Sequence, residues 1–285
     1  MKTSAVFFPF DLFGSSGAGA GADLLADELR EILADNRRER VPTRARAYTD
    51  QLRLRRFTFE TLEAYTTWRQ QGRQAVRQAF RQGDFLLWMA GNHLGVLPLY
   101  DELAGRGEEV LVVQFDAHLD IHHFADCTRE LSHGNFLLHC AGPLPPLVNA
   151  GHRELLLPAD YVRQYYRQTF SATELARDPQ PALDQLAWLA LTAERVFIDI
   201  DWDVLDPTFF PAVTQPVPFG LSPSLLLRLL HAVWSPKVAG VMISEFAPAR
   251  DQEDRSLATV IWLLEYLLLL KYEGLQAEGQ IAGGS

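Results

Sequence analysis

Cysteine is nearly missing from this chain. Of 285 residues only Cys127 and Cys140 carry thiols, too few for a disulfide framework and in keeping with a reducing compartment such as the cytoplasm or with indifference to redox. No apolar run reaches the roughly 20 residues that a bilayer-spanning helix needs. The nearest, Leu257 to Leu270, carries Glu265 and is expected to form a buried helix. There is also no basic tract that could neutralise a row of phosphates: 26 Lys and Arg stand against 36 Asp and Glu, a net charge of −10. Neither nucleic acid nor a membrane is an expected partner. An acidic surface focuses cationic ligands, although ordinary solubility charge has the same sign. The glycines between Gly14 and Gly21 lack a Gly-Lys-Ser/Thr ending and match the dinucleotide fingerprint only loosely, so they are not read as a phosphate cradle. Pro/Ser linkers, low-complexity tracts and clear internal repeats are missing too, and nothing divides the chain.

What is present is an ordinary globular mixture, 48% apolar and 22% charged, in a chain long enough to bury a sizeable core. Ala5 to Phe10 contains Pro9 and runs straight into Asp11, which makes it a first strand rather than a signal peptide. An amphipathic helix is expected over Asp23 to Leu33, with leucines at 24, 25, 29 and 33. Arg37 to Arg56 reads as a basic loop with a strand near Tyr48 to Leu54, and Phe59 to Arg81 as helix. Four continuous apolar runs then lead into polar residues: Phe85 to Ala90, Val110 to Phe115, Val196 to Ile198 and Val238 to Ser244. Runs of this kind belong to parallel strands buried on both faces. Helical stretches fall between them at Ala159 to Tyr166, Pro181 to Leu191 and Ser222 to Val233, with a long loop expected over Gly142 to Pro158. The alternation predicts a doubly wound α/β domain whose ligands bind beyond the carboxyl ends of the strands.

Chemistry-bearing residues collect at those ends. His93, His118, His122, His123 and His133 lie within 41 residues, interleaved with Asp116, Asp120 and Asp126. Asp116, His118 and Asp120 are spaced two apart and would project to one side of an extended strand end. Asp201 and Asp203 repeat the spacing, with Asp199 one step deeper. A lone Asp-x-Asp usually caps a turn, and a lone buried histidine is usually a hydrogen-bonded core residue. Together, so many carboxylates would repel one another unless a cation sits among them. Six donors with four carboxylates exceed a single zinc site and suit two metals with bridging carboxylates. Mixed carboxylate and imidazole donors fit Mn²⁺ or a similar ion, with Fe, Ni and Zn left open.

The motifs Gly91-Asn92-His93, Asp116-Ala117-His118-Leu119-Asp120, Asp201-Trp202-Asp203-Val204-Leu205-Asp206-Pro207 and Glu245-Phe246-Ala247-Pro248 appear in the order found in ureohydrolases. The chain therefore resembles the arginase and agmatinase superfamily over most of its length. That resemblance implies a single three-layer domain over residues 1–285, with a mostly parallel central sheet flanked by helices and a disordered tail over about 275–285. It implies two Mn²⁺ ions, one held by His93, Asp116, Asp120 and Asp201, the other by Asp116, His118, Asp201 and Asp203. It also implies hydrolysis of a guanidinium, with Asp120 passing a proton to the departing amine. Glu245 would grip the guanidinium, and His133, seventeen residues after Asp116, would shuttle protons.

Departures refine this expectation. Ala90-Gly91-Asn92-His93 stands where Gly-Gly-Asp-His is usual, so a carboxylate beside the metals is missing. The loop after Asp120 carries His122, His123 and Phe124, and then Ser132-His133-Gly134-Asn135-Phe136, in place of the groups that clamp free arginine. This stretch resembles the peptide arginases, which convert arginine to ornithine within ribosomally made precursor peptides and release urea. The expected substrate is thus an arginine-containing precursor peptide, with His122 and Asn135 contacting it. A small-molecule ureohydrolase, a deacetylase-like amidohydrolase with one zinc and a non-catalytic metal-binding protein are the alternatives. Asp199 is expected either to orient a histidine or simply to be buried, and Trp202 to flank the channel or pack beneath the metals. Association with copies of itself is a further expectation from the family.

Overall fold

The computed structural model describes residues 1–14, 16–123 and 129–282. Eight strands form one all-parallel sheet: β1 (Thr3–Phe8), β2 (Leu52–Arg56), β3 (Phe85–Ala90), β4 (Val110–Phe115), β5 (Leu147–His152), β6 (Gln168–Ser171), β7 (Arg195–Asp201) and β8 (Val238–Ser244). Their spatial order is β2-β1-β3-β8-β7-β4-β5-β6. The helices are α1 (Gly19–Arg38), α2 (Leu62–Gln82), α3 (Leu97–Leu103), α4 (Ala159–Val162), α5 (Ala172–Arg177), α6 (Gln180–Thr192), α7 (Pro223–Val233) and α8 (Arg255–Ala282).

Successive strand residues feed two separate cores, as the period-2 pleat requires. Phe85, Leu87 and Met89 join Leu25 and Leu29 of α1, Leu186 of α6, Leu229 of α7 and Leu264 of α8 on one face. Leu86, Trp88 and Ala90 join Trp68 and Val76 of α2, Leu97 and Leu99 of α3 and Val162 of α4 on the other. β3 and β4 are buried at every position, which explains the apolar sequence of β3 and of β4 apart from its buried Gln114. Helix limits follow local chemistry. The Thr61 side chain accepts from Ala64 N at the start of α2, and Gly83 closes that helix in a left-handed conformation (φ 65°).

Expected and observed limits coincide for β3, β4 and β8 and differ elsewhere. β1 lies two residues earlier than expected, β2 starts four residues later and ends two later, and α1 starts inside the glycine stretch at Gly19. The expected helix over 159–166 contracts to α4. The expected loop over 142–158 contains β5, a buried strand whose Asn149, Gly151 and His152 break up the apolar run. β6 is short, polar and at the sheet edge. α8 continues to Ala282, eight residues into the stretch expected to be tail, while 283–285 lie outside the described residues. Phe124, Asp126 and Cys127 lie outside them as well. No helix among the described residues is long and apolar enough to cross a membrane.

Candidate metal centre

Four adjacent strands at the middle of the sheet, β3, β8, β7 and β4, deliver the candidate residues from their carboxyl ends. β3 is followed by Gly91, where a Cβ would lie 2.3 Å from Phe10 O, and then by His93. β8 runs into Glu245, whose φ of 65° reverses the chain while its N–H donates to Gly91 O at 2.9 Å. The His93 N–H donates in turn to Glu245 Oε1 at 2.9 Å. Beyond β4, His118 N donates to Asp116 Oδ1 (2.6 Å), and Ala117 N to Asp203 Oδ1 (3.1 Å). Beyond β7, Asp203 N donates to Asp201 Oδ1 at 2.9 Å. The strand ends are thus braced by the same carboxylates that face the centre. The route for Asp120 is not the expected pleat: β4 ends at Phe115, and Asp120 enters through a turn with φ 49°.

Five of the six expected ligands fall into two donor groups, and the sixth, Asp201, approaches His93 but enters neither group. His93 Nδ1 lies 2.7 Å from Asp120 Oδ2, 3.2 Å from Asp116 Oδ2 and 3.4 Å from Asp201 Oδ2. His118 Nδ1 lies 2.8 Å from Asp203 Oδ2 and 3.8 Å from Asp116 Oδ1. Two donor groups result, His93 with Asp116 and Asp120, and Asp116 with His118 and Asp203; within each group the donor atoms lie within 4.8 Å of one another. Asp116 belongs to both, the arrangement a bridging carboxylate requires. The Oδ2 atoms of Asp116 and Asp120 are buried and accept no aligned hydrogen bond from a described residue. Buried carboxylate oxygens without donors are unfavourable unless protonated or bound to a cation, so the donor set fits divalent metal.

The electrostatics carry the same signature. Burial, reinforced by Asp120, pushes the Asp116 carboxyl up to about 7. Burial and then Asp203 hold Asp201 well above the carboxylate range. For His118, burial works downward but Asp203 outweighs it and raises the imidazole to about 10. Burial would raise Asp203, yet His118 beside it brings it to about 2. His93 is held above its ordinary value against burial, chiefly by Asp199. Without metal, protons do the neutralising.

Around this centre the sequence expectations resolve further. Asp199 is fully buried, with Oδ2 3.0 Å from His93 Nε2, and it accepts from Tyr100 OH at 2.7 Å, so it meets both expectations, contact with a histidine and burial. Trp202 is also fully buried, stacked on Phe210 at 4.7 Å between ring centroids. His133 Nδ1 sits 3.3 Å from Glu245 Oε1, and Thr214 Oγ1 donates to Glu245 Oε2 at 3.0 Å. His122 Nε2 approaches Glu154 Oε2 at 3.1 Å, and His123 stacks on Tyr161. Asn135 uses its amide within its own loop, accepting from Ser132 N at 2.8 Å and donating to Glu130 O at 2.9 Å. A cleft of about 460 Å³ joins these parts, lined by His93, His118, Asp120, His122, His133, Asn135, Asp201, Asp203 and Glu245, with Phe13, Glu130 and Gln215 also on its wall.

Sequence reasoning missed Arg153. Its guanidinium donates to the carbonyls of Gly151, Asp203, Val204 and Val217, and its backbone N–H to Ala117 O at 2.8 Å. It ties the turns after β4, β5 and β7 together. No motif surrounds it in the sequence, so nothing there could have singled it out. Tyr100, Thr214 and Gln215 were missed for the same reason.

This chain belongs to the arginase family, whose sequence profile matches residues 2–269. Agmatinase of Serratia proteamaculans is 28% identical over 191 residues, covering 66% of this chain and 60% of that enzyme. The match to N(1)-aminopropylagmatine ureohydrolase of Thermus thermophilus is 29% identical over 218 residues, 72% of this chain and 68% of that one. The chain thus spans about three fifths of the length of the agmatinase it matches. Among solved structures, arginase from Bacillus subtilis superposes with a TM-score of 0.75 at 20% identity, over 94% of this chain and 98% of that one. At that identity the likeness is one of fold.

Proposed function

We propose that the protein is a ureohydrolase that cleaves a guanidinium C–N bond to release urea, with two Mn²⁺ ions held by His93, Asp116, His118, Asp120, Asp201 and Asp203. The observation that carries this reading is the pair of donor groups sharing Asp116 on the floor of a cleft that also presents Glu245 and His133. When bound, a divalent pair supplies Lewis acidity and lowers the pKa of water from about 15.7 toward about 7. The protein's own groups do the rest. Glu245, held from one side by His93 N–H and from the other by Thr214, offers the substrate guanidinium a charge-assisted contact. Asp120 hands a proton to the departing amine. His133 moves protons between the cleft and solvent, one ring nitrogen toward Glu245 and the other toward Gln215.

The proposed substrate is arginine within a precursor peptide, converted to ornithine. What supports this reading is the Ser132-His133-Gly134-Asn135-Phe136 stretch, which resembles the peptide arginases and whose residues Ser132 to Asn135 line the cleft. Agmatine-like amines are the second reading, and the names of the relatives favour it. A deacetylase-like site asks for a single zinc with fewer ligands than the two groups sharing Asp116 provide. Urea release from an arginine-containing peptide, agmatine and free arginine, measured in parallel with metal content, tests the proposal. Turnover of the peptide above both small molecules supports it; agmatine as the best substrate selects the second reading. Free arginine turned over at least as fast as either rejects both.

A further inference from the structure

The turn over residues 10–14 lies between Asn92 and His133, and it touches both. Asn92 is fully buried and holds the turn twice: its backbone N–H donates to Phe10 O at 3.1 Å, and its side-chain Nδ2 donates to Leu12 O at 3.1 Å. Phe13 follows with φ 60°, a conformation that an aromatic L-residue holds only when its surroundings enforce it. In that conformation the Phe13 carbonyl accepts the backbone N–H of His133 at 3.1 Å. Gly14 then lies flat against the imidazole, where a Cβ would come within 2.4 Å of His133 Cδ2. Backbone and ring of His133 are therefore both seated on this turn, with Nδ1 3.3 Å from Glu245 Oε1.

We infer that Asn92 is a positioning residue for His133, acting through the Leu12-Phe13-Gly14 turn, and that an amide is needed there because it must donate to the Leu12 carbonyl. An aspartate at this position would set a carboxylate oxygen against that carbonyl with no proton to share. The inference rests on the proposed proton-moving role of His133, and it concerns what places that ring rather than what the ring does.

The test uses the metal-loaded protein and the variants Asn92→Asp, Asn92→Ala and Gly14→Ala, each alone and combined with His133→Ala. Misplacing a reacting group by an ångström can lower the rate by about a hundredfold, so each single variant should lower kcat at least about tenfold with KM within about twofold. Metal content should stay unchanged. In the His133→Ala background the same substitutions should have little further effect, because their path runs through the missing ring. Asn92→Ala removes the donor without burying a charge and keeps the test alive should Asn92→Asp not fold. Crystal structures of the variants give a readout independent of turnover: His133 Nδ1 should leave hydrogen-bond reach of Glu245. If the wild type releases no urea, the proposed activity has failed and the ring position still decides this inference. A ring that stays in place in the Asn92 variants, or losses that add to that of His133→Ala, overturns it.

Discussion

Asp199→Asn is the sharpest probe of how the centre is held, because the aspartate does not itself line the cleft and reaches it through His93. Its Oδ2 lies 3.0 Å from His93 Nε2 and accepts from Tyr100 OH at 2.7 Å and, more weakly, from Gln114 Nε2 at 3.4 Å. A carboxylate in that place favours a proton on Nε2, which leaves the Nδ1 lone pair directed at the Asp116 and Asp120 oxygens. Asparagine preserves the volume and one acceptor but removes the charge that fixes the tautomer. Loss of such an outer partner typically weakens metal affinity by about 10–100-fold, or about 1.4–2.7 kcal/mol. Removing the whole side chain with Asp199→Ala would also leave the buried Tyr100 hydroxyl without its acceptor, adding about 1–3 kcal/mol of destabilisation. Competition of Mn²⁺ binding against a chromophoric chelator measures the first effect, and thermal melts of the metal-free protein measure the second. If Asp199→Asn lowers the melting temperature but binds Mn²⁺ within about twofold of wild type, its task is to satisfy Tyr100 and Gln114, and the tautomer argument is refuted.

Metal binding should strengthen with pH. In the metal-free fold the raised Asp116 carboxyl contributes stability that is lost as pH rises from 3.8 through about 7, and His118 likewise from 6.5 through about 10. Asp203, depressed to about 2, contributes in the opposite sense, present above 3.8 and lost only as pH falls through about 2. Because a cation displaces these protons, the rise in melting temperature on adding Mn²⁺ should be larger at high pH than at low; a shift independent of pH would count against the assigned ligands. Glu245→Gln should keep the metal content while urea release falls at least about a hundredfold, as for loss of a charge-assisted anchor; full activity would remove the guanidinium-binding role. Arg153→Leu should destabilise the fold by about 2–4 kcal/mol, since it leaves several backbone carbonyls without their donor, and melts of the variant measure this. An unchanged melting temperature would show that water replaces the guanidinium at little cost.

The parts of the fold legible in the sequence are those where both faces of a strand are buried. β3 is an uninterrupted apolar run and β4 and β8 are nearly so, broken by the buried Gln114 and by Gly240 and the closing Ser244, because helices cover them on either side. β5 is equally buried yet was hidden, since Asn149 turns its amide to the His118 carbonyl at 3.0 Å and Gly151 takes φ 119° beside Val204. Its polar residues serve the neighbouring turn and so break the pattern that reveals a strand. The candidate metal ligands stood out because several like residues fall at short, regular spacing. Arg153 and Tyr100 were not, since each acts once, through contacts between residues far apart in the chain, and a single residue leaves no periodic trace.

Asp201 reaches the cleft as the last residue of β7, whereas Asp120 and Glu245 are placed there by the backbone beyond their strands. Residues following a parallel strand would continue to alternate between the faces of the sheet, away from the rim where ligands bind. Phe13, Asp120 and Glu245 escape that alternation by adopting positive φ, at 60°, 49° and 65°, and all three line the cleft. Such conformations persist where the surroundings over-determine them. Here the surroundings are visible: Glu245 N donates to Gly91 O, the Glu245 carboxylate takes the His93 N–H, and Gly91 has no room for a Cβ against Phe10 O. One closed set of contacts therefore fixes a proposed ligand, His93, and a proposed substrate anchor, Glu245, relative to each other. Their separation is set by peptide geometry before any cation arrives, so metal removal should loosen the carboxylates of Asp116 and Asp120 while leaving the Glu245–His93 pairing in place.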